Sequence, residues 1–263
     1  MRNLDLKMPL ALFLVLTLGR LGLAQDQQPV SGITGEATRR DSRFELGLAF
    51  AHTLSSSRFS ATQTVRENAE DGTFRSSYSV GKAPGAGFDL QYNLGSKFGL
   101  RLGAQTFSRK STGAFDAQVP HPFFFGRVRS VSGTQSGLGF SEAAYSLTGV
   151  YRGGSGKWRV NLEGGPAYFS VNATVAERIS YGEVYPYDTA TFGGVRTTKK
   201  KVSPFGFAVG LELGRELSRA VSLVAQGRFT QGSGDIDLNG QKIKVKAGGA
   251  QARLGLRITL ARR

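Results

Sequence analysis

The segment from Phe44 to Ala51, FELGLAFA, is the clearest indication of the fold of this chain. Large apolar residues occupy every second position, and the residues between them are small or charged. Because successive side chains of a β-strand point to opposite faces, this stretch predicts a strand with one apolar face and one polar face.

The same alternation recurs in seven further segments, which makes eight in the whole chain. Most are close to the length of about 9 to 11 residues that a tilted transmembrane strand requires. The eight segments cover residues 44–51, 86–94, 98–105, 142–151, 158–163, 205–214, 221–229 and 251–260.

Short and long connections between these segments follow one another in strict alternation. Short turns lie at 95–97, 153–157 and 215–220, and long polar connections lie at 55–84, 108–137, 172–203 and 230–249. Outer-membrane barrels combine short periplasmic turns with long extracellular loops. The chain is therefore predicted to be all-β, an eight-stranded antiparallel up-and-down transmembrane β-barrel with short periplasmic turns and long extracellular loops.

The polar face of the segments indicates which side is inside. A soluble lipocalin-like barrel would show the same period with its apolar face inward. The charged residues of the polar face are five acids and five arginines, with no lysine, a choice that suits a crowded lumen where guanidinium groups pair with carboxylates. We expect these residues to form an ion-pair network that plugs the lumen: Glu45, Asp89, Arg101, Glu142, Arg159, Glu163, Glu212, Arg228, Arg253 and Arg257. A small-solute channel is the alternative interpretation.

The N-terminus has the pattern of a secretory signal. Arg2 and Lys7 precede an apolar run, and Gly22-Leu23-Ala24 is a small-residue cleavage site. We expect residues 1–24 to be the signal peptide, 25–42 a flexible periplasmic segment and 43–263 the barrel domain. The sequence contains no cysteine, which excludes a lipidated first Cys and a disulfide scaffold.

The chain is basic, with a formal net charge of +15, but its lysines fall in turns and connections. This distribution favours the phosphates of outer-membrane lipids and lipopolysaccharide as partners over nucleic acid. The expected surface contacts with polyanions are Arg127, Arg129, Lys199, Lys200, Lys201, Lys242, Lys244 and Lys246. Asn239-Gly240 predicts a tight turn that places Asp237 opposite Lys242 and Asp235 opposite Lys244.

Catalytic and metal-binding patterns are not found in the sequence. Its two histidines, His52 and His121, have no ligand-spaced partner and form no recognisable His-x-Ser arrangement. We therefore expect no enzyme activity, no metal and no cofactor. The alternative is a lipid A-modifying enzyme, since some barrels of this size use His with Ser.

The strand pattern and the connection lengths resemble the OmpA-like family of small outer-membrane barrels over about Phe44 to Leu260. Gly255, Ile258 and Leu260 match the core of the last-strand signal that the barrel assembly machinery recognises, although Leu254 replaces a usually polar residue and the chain ends in Ala261-Arg262-Arg263. The resemblance implies the bacterial outer membrane, a monomer, and a structural or surface-interaction role whose ligand it does not name.

Overall fold

A computed structural model describes residues 43–238 and 241–260, and the regular structure in these two ranges consists of β-strands. The described residues form no helix that is long and apolar enough to cross a bilayer. The strands are β1 (Phe44–Thr53), β2 (Ser57–Glu67), β3 (Glu70–Val80), β4 (Pro84–Asn93), β5 (Phe98–Pro120), β6 (Val128–Gly153), β7 (Trp158–Glu183), β8 (Ala190–Val202), β9 (Phe205–Glu216), β10 (Val221–Leu238) and β11 (Gln241–Leu260).

Eight of the strands in the described ranges close into an antiparallel ring. The order of hydrogen-bonded neighbours is β1, β4, β5, β6, β7, β9, β10 and β11, and β11 pairs again with β1. Every predicted segment lies in one strand of this ring, apart from Leu94, which follows the end of β4. The prediction of an eight-stranded antiparallel barrel is therefore confirmed.

The stagger of the ring sets its width. Following opposed residues from Phe44 leads round the ring through Tyr92, Leu100, Gly149, Gly164, Val209, Phe229 and Ala250. The carbonyl of Ala250 accepts the N–H of Leu54, so the path returns to the first strand ten residues beyond Phe44. Eight strands with this shear are strongly tilted and enclose a space that side chains can fill.

The predicted long loops are in fact continuations of the strands, which corrects the sequence analysis. β5 and β6 stay paired as far as Pro120 and Val128, β2 and β3 form a hairpin, and β8 pairs with β7. Within the described ranges, the connections that remain at this end are residues 68–69, 121–127 and 184–189. The paired positions Asp235 with Lys244 and Asp237 with Lys242 are as predicted, while Asn239 and Gly240 lie outside the described residues.

We call this part the β-extension: strands β2, β3 and β8 together with residues 108–139, 170–183 and 231–247. Three of its strands continue ring strands after a short break. β3 and β4 both pair with β5, and β8 and β9 both pair with β7. Breaks at 54–56, 81–83 and 203–204 therefore interrupt three long strands that begin in the ring and end in the β-extension.

The strands continue beyond the ring because apolar and polar residues still alternate there. In the β-extension, however, the apolar residues lie on the inward face. On β5, Leu100 and Leu102 point outward from the ring, whereas Lys110 and Thr112 occupy the same face further along. The opposite face carries Phe115, which is buried inside the β-extension. This apolar interior includes Phe59, Phe74, Tyr78, Val80, Ala117, Val119, Val131, Val171, Ile236, Leu238, Ile243 and Val245, and Phe140 and Phe169 join it from the adjoining positions of β6 and β7.

The outward face of the ring is a band of exposed apolar side chains between two aromatic clusters. Phe44 packs on Tyr92 with ring centroids 5.0 Å apart at the short-turn end, and Tyr168 packs on Phe205 at 5.1 Å at the other end. Roughly nine residues of tilted strand separate the two ends, which corresponds to a band about 25 Å tall. An apolar exterior over a charged interior excludes the lipocalin-like arrangement for the ring.

Candidate functional site

The ring holds all ten charged residues predicted for the lumen on its inward face. Nine of them are buried and Arg159 is half-buried. They come from all eight ring strands, because each occupies a polar position of an alternating segment. Nine belong to one connected set of ion pairs, and Glu142 lies apart from it.

Glu212 on β9 lies at the centre of this set. Its carboxylate accepts hydrogen bonds from Arg257 Nη2 at 2.7 Å and from Asn161 Nδ2 at 2.8 Å, and Arg101 Nη1 lies 3.0 Å away. Arg101 also donates to Glu163 at 2.6 Å. A buried carboxylate is tolerated when cations and donors surround it, as they do here.

A second group of contacts joins Asp89 on β4 to two arginines of β11. Arg257 Nη2 donates to Asp89 Oδ1 at 2.9 Å, and Arg253 Nη2 donates to Asp89 Oδ2 at 3.3 Å. Neutral amides complete the arrangement, since Gln91 accepts from Arg257 at 2.6 Å and Gln226 accepts from Arg253 at 2.8 Å. These amides were not among the predicted residues, although they occupy the same inward positions of predicted strands.

At the short-turn end, Glu45 closes the network. Its Oε1 accepts from Arg159 Nη1 at 3.1 Å and lies 3.6 Å from Arg152 Nη2. Arg159 also donates to Glu216 at 2.9 Å, where the side chains become partly exposed. The network thus runs from the mouth of the ring into its middle.

Glu142 occupies a different place, where the charged interior of the ring meets the apolar interior of the β-extension. Its carboxylate lies 3.5 Å from Arg109 Nη2 and accepts the N–H of Gly248 at 3.1 Å. The Arg109 guanidinium stacks over Phe107 and Phe140 at 5.6 and 5.7 Å. Arg109 lies in a segment that was predicted to be a loop, so this pair was not among the predicted residues.

Small residues let the charged side chains fill the interior of the ring. A Cβ on Gly47 would come within 2.5 Å of Asp89 Oδ1, and one on Gly87 within 2.5 Å of Arg253 Nη2. A cavity of about 10 Å³ lies beside Asp89, Glu212, Gln226 and Arg253. This volume is close to that needed by a single water molecule.

The residues that were predicted to contact polyanions differ in their exposure to solvent. Lys199, Lys201, Lys242, Lys244 and Lys246 are exposed on the outward face of the β-extension, and Lys200 is half-buried. Arg127 is paired with Asp188 at 3.0 Å. Arg129 is buried, where it pairs with Glu183 and donates to the carbonyl of Pro120, so its prediction as a surface contact is wrong.

The two histidines lie far apart in the fold. His52 is half-buried near the end of β1. His121 is buried, its Nδ1 accepts the N–H groups of Phe123 and Phe124 at 3.1 and 3.2 Å, and its Nε2 lies 3.8 Å from Asp188 Oδ1. These contacts give His121 a role in fixing the backbone of its loop.

Two tyrosines of the β-extension are held in their neutral form. Tyr78 accepts the N–H of Ala176 through its hydroxyl at 2.7 Å, and burial raises the pKa of its phenol. Tyr181 donates to Glu67, and burial together with this carboxylate raises the pKa of Tyr181.

The residues of the predicted assembly signal lie at the seam where the ring closes. Gly255 is opposite Ala49, and a Cβ at Gly255 would overlap the carbonyl oxygen of Leu48. Ile258 and Leu260 are partly exposed on the apolar exterior. The tail 261–263, the predicted signal peptide and the segment 25–42 lie outside the described residues.

Comparisons with known proteins return structures only: no family model and no curated protein matches the chain. Neisserial surface protein A is similar at 9% identity, with 82% of this chain and 97% of that chain covered and a TM-score of 0.46. The outer membrane protease OmpT from Escherichia coli matches at 12% identity, 84% and 97% coverage and a TM-score of 0.39. Ail, the attachment invasion locus protein of Yersinia pestis, matches at 9% identity, 82% and 98% coverage and a TM-score of 0.36.

These similarities support no conclusion about function. The class of protein to which the chain belongs follows from its own architecture. Single-chain barrels with an even number of antiparallel strands and an outward apolar band between aromatic girdles are proteins of the bacterial outer membrane. The chain has this architecture in its described residues.

Proposed function

We propose that the ring is a closed membrane anchor and that the β-extension is the part that acts, by binding polyanions at the cell surface without catalysis. The observation that carries this proposal is that the chemistry of the strands changes between the ring and the β-extension. The ring interior is filled with paired charges, whereas the β-extension has its own apolar core and an exposed basic exterior.

The filled interior argues against a conduit for solutes. Arg101, Glu212 and Arg257 cross the ring with contacts of 2.7 to 3.0 Å. Moving them aside would leave buried charges without partners, which costs several kcal/mol for each ion. We therefore expect the protein in planar bilayers to lack the steady conductance of an open aqueous lumen.

The basic exterior supports the choice of ligand. Lys199 and Lys201 on β8 and Lys246 on β11 are exposed, and Lys246 lies opposite the uncharged Ser233. Lys242 and Lys244 lie opposite Asp237 and Asp235, which reduces their net effect. Phosphates of lipopolysaccharide are the anions nearest to such a surface, and association with them is electrostatic.

A charge-matched pair of variants tests the proposal. Lys199→Ser/Lys201→Ser should weaken binding of lipopolysaccharide to the purified barrel, while Lys97→Ser/Lys157→Ser removes the same charge from the exposed short turns and should leave binding unchanged. Affinity should also fall with salt, since exposed charges are screened over about 10 Å at 0.1 M. Binding that is equal in both variants and indifferent to salt would contradict the proposal.

A further inference from the structure

A group of exposed apolar side chains lies at the far end of the β-extension. Three consecutive phenylalanines, Phe123, Phe124 and Phe125, are exposed by 69%, 56% and 81%. Val184 and Tyr185 in the neighbouring loop are exposed by 80% and 81%. We call these five residues the aromatic tip. They contrast with the serines, threonines and charged residues on the outward face of the same strands.

The aromatic tip is held in place by contacts within and between three hairpin ends. His121 fixes the backbone N–H groups of Phe123 and Phe124. The N–H of Gly126 donates to Glu70 at 2.7 Å, which ties the loop to the start of β3. Phe123 packs against Tyr187 of the next loop at 5.4 Å. The exposure of these rings is therefore built into the fold, and ordered aromatic rings in water are unfavourable unless another surface covers them.

The chemistry of the aromatic tip matches the two girdles of the barrel. Phe–Tyr pairs with centroids 5.0 and 5.1 Å apart mark the two edges of the apolar band, where the rings meet the membrane interface. The pair of Phe123 and Tyr187 repeats this arrangement at the far end of the molecule.

Position and charge further define the partner. β5 continues from Thr106 to Pro120, roughly 45 Å of strand at about 3.3 Å per residue, so the barrel's own bilayer does not reach the tip. The cations beside the tip are already paired, Arg127 with Asp188 and Arg129 with Glu183. In the described part of the chain, the tip thus offers aromatic area without an unpaired cation for an acidic surface.

We propose that the aromatic tip inserts into the interface of a second lipid bilayer, apposed to the membrane that the barrel spans. Aromatic side chains with a tyrosine hydroxyl suit the boundary between headgroups and acyl chains, and a neutral patch does not require anionic lipid. This interaction is separate from polyanion binding by the lysines and does not depend on it.

Flotation of the protein in lipid nanodiscs with phosphatidylcholine vesicles tests the proposal. The parent should float with the vesicles, and Phe123→Ser/Phe124→Ser/Phe125→Ser should lower the partition coefficient by at least about tenfold, because three rings no longer leave water. The control Ser130→Ala/Ser132→Ala/Thr134→Ala changes three exposed residues of β6 away from the tip and should float like the parent. Equal flotation of the parent and the triple serine variant would overturn the proposal.

A fluorescent reporter tests insertion directly. The chain has one tryptophan, so Trp158→Phe removes the native signal and Phe125→Trp places a probe at the tip. Its emission should shift to shorter wavelength when phosphatidylcholine vesicles are added and should be quenched by brominated lipid.

Three other results would contradict insertion, and two of them name a different interaction. Unchanged emission would leave the tip in water. Pairing of nanodiscs without vesicles, abolished by the triple serine variant, would assign the tip to a second copy of this chain. Flotation that requires anionic lipid and disappears in salt would assign vesicle binding to the lysines, in agreement with the proposed function but not with this inference.

Discussion

At the residue scale, the interior of the ring is a set of buried ions that depend on one another. Glu212 alone contacts Arg101, Arg257 and Asn161 within 3.0 Å through its two oxygens. Removing one partner leaves the others charged and unsolvated, which is why buried pairs are costly to break even when their net contribution is small.

Replacing Glu212 should therefore destabilise the barrel strongly. We expect Glu212→Leu to lower the free energy of unfolding by about 3 to 5 kcal/mol, measured by urea titration in lipid vesicles. Glu216→Leu is the control, because the Glu216 side chain is 29% exposed and water can solvate the remaining partner. An equal loss of unfolding free energy in the two variants would show that the buried ion pairs matter no more for stability than a partly exposed pair.

The neutral tyrosines of the β-extension predict a loss of stability in alkali. Because the folded state raises the pKa of Tyr78 and Tyr181 above the value of about 10 in an unfolded chain, the stabilisation is complete below pH 10 and is lost as pH rises through the folded pKa values. Absorbance titration should show tyrosines that ionise only on unfolding. Tyr181→Phe should reduce this late step, and an unchanged late step would contradict the assignment.

The sequence could predict the lumen residues because a period of two assigns every inward position once the strand is known. It could not predict the partners of Arg109 or the burial of Arg129, since both lie in segments rich in serine, threonine and glycine that look like loops. Which ions pair across the ring depends on its stagger, and no single strand contains that information.

At the scale of elements, each long strand passes from one environment to another. Its alternation is preserved while the chemistry of the two faces is exchanged, as between Leu102 and Thr112 on β5. The inward apolar positions of the β-extension, such as Phe115, Ala117 and Val119, also recur at every second residue, although the segment was predicted to be a loop. Their polar neighbours hid the pattern, because small hydroxyl residues are common to loops and to solvated strands.

Gly248 should be required where β11 leaves the ring. Its φ is +89°, and a Cβ would overlap the backbone oxygen of Thr230. We expect Gly248→Ala to cost about 1 to 3 kcal/mol in thermal unfolding experiments, the range for a strained backbone position. Gly227→Ala, at an outward glycine with nothing within 4 Å of the new Cβ, should be nearly neutral. A neutral Gly248→Ala would contradict the described backbone.

The apolar core of the β-extension should be separable from the ring. Phe74 is fully buried and packs against Phe115 at 6.0 Å, so Phe74→Ala should destabilise the β-extension by about 3 to 5 kcal/mol. Proteolysis should then cut the hairpin of β2 and β3 while the ring keeps its heat-dependent migration in gels. Phe125→Ala, at an exposed ring, should show no added cleavage. Loss of the ring itself in Phe74→Ala would show that the two parts fold as one.

At the scale of the whole molecule, lipid and water determine which side chains face outward along each part of the strands. Along the ring the exterior is apolar and the interior charged, and along the β-extension the exterior is polar and the interior apolar. The bilayer favours apolar residues on the outer face of the ring, and water favours polar residues on the outer face of the β-extension. In each part, the inward face has the opposite character. Closure of the ring at β1 and β11 leaves no ring strand edge unpaired within the apolar band.

Site-directed labelling along β5 tests this exchange of faces most directly, because the native chain has no cysteine. Single cysteines at each position from 98 to 118, labelled with a nitroxide in lipid vesicles, report contact with lipid or water. Even-numbered positions should be accessible to oxygen from the bilayer up to 104 and to a water-soluble relaxation agent from 108 onward, while odd-numbered positions stay protected throughout. Water accessibility at odd and even positions alike beyond 108 would show a loop in place of a strand and would contradict the exchange of faces.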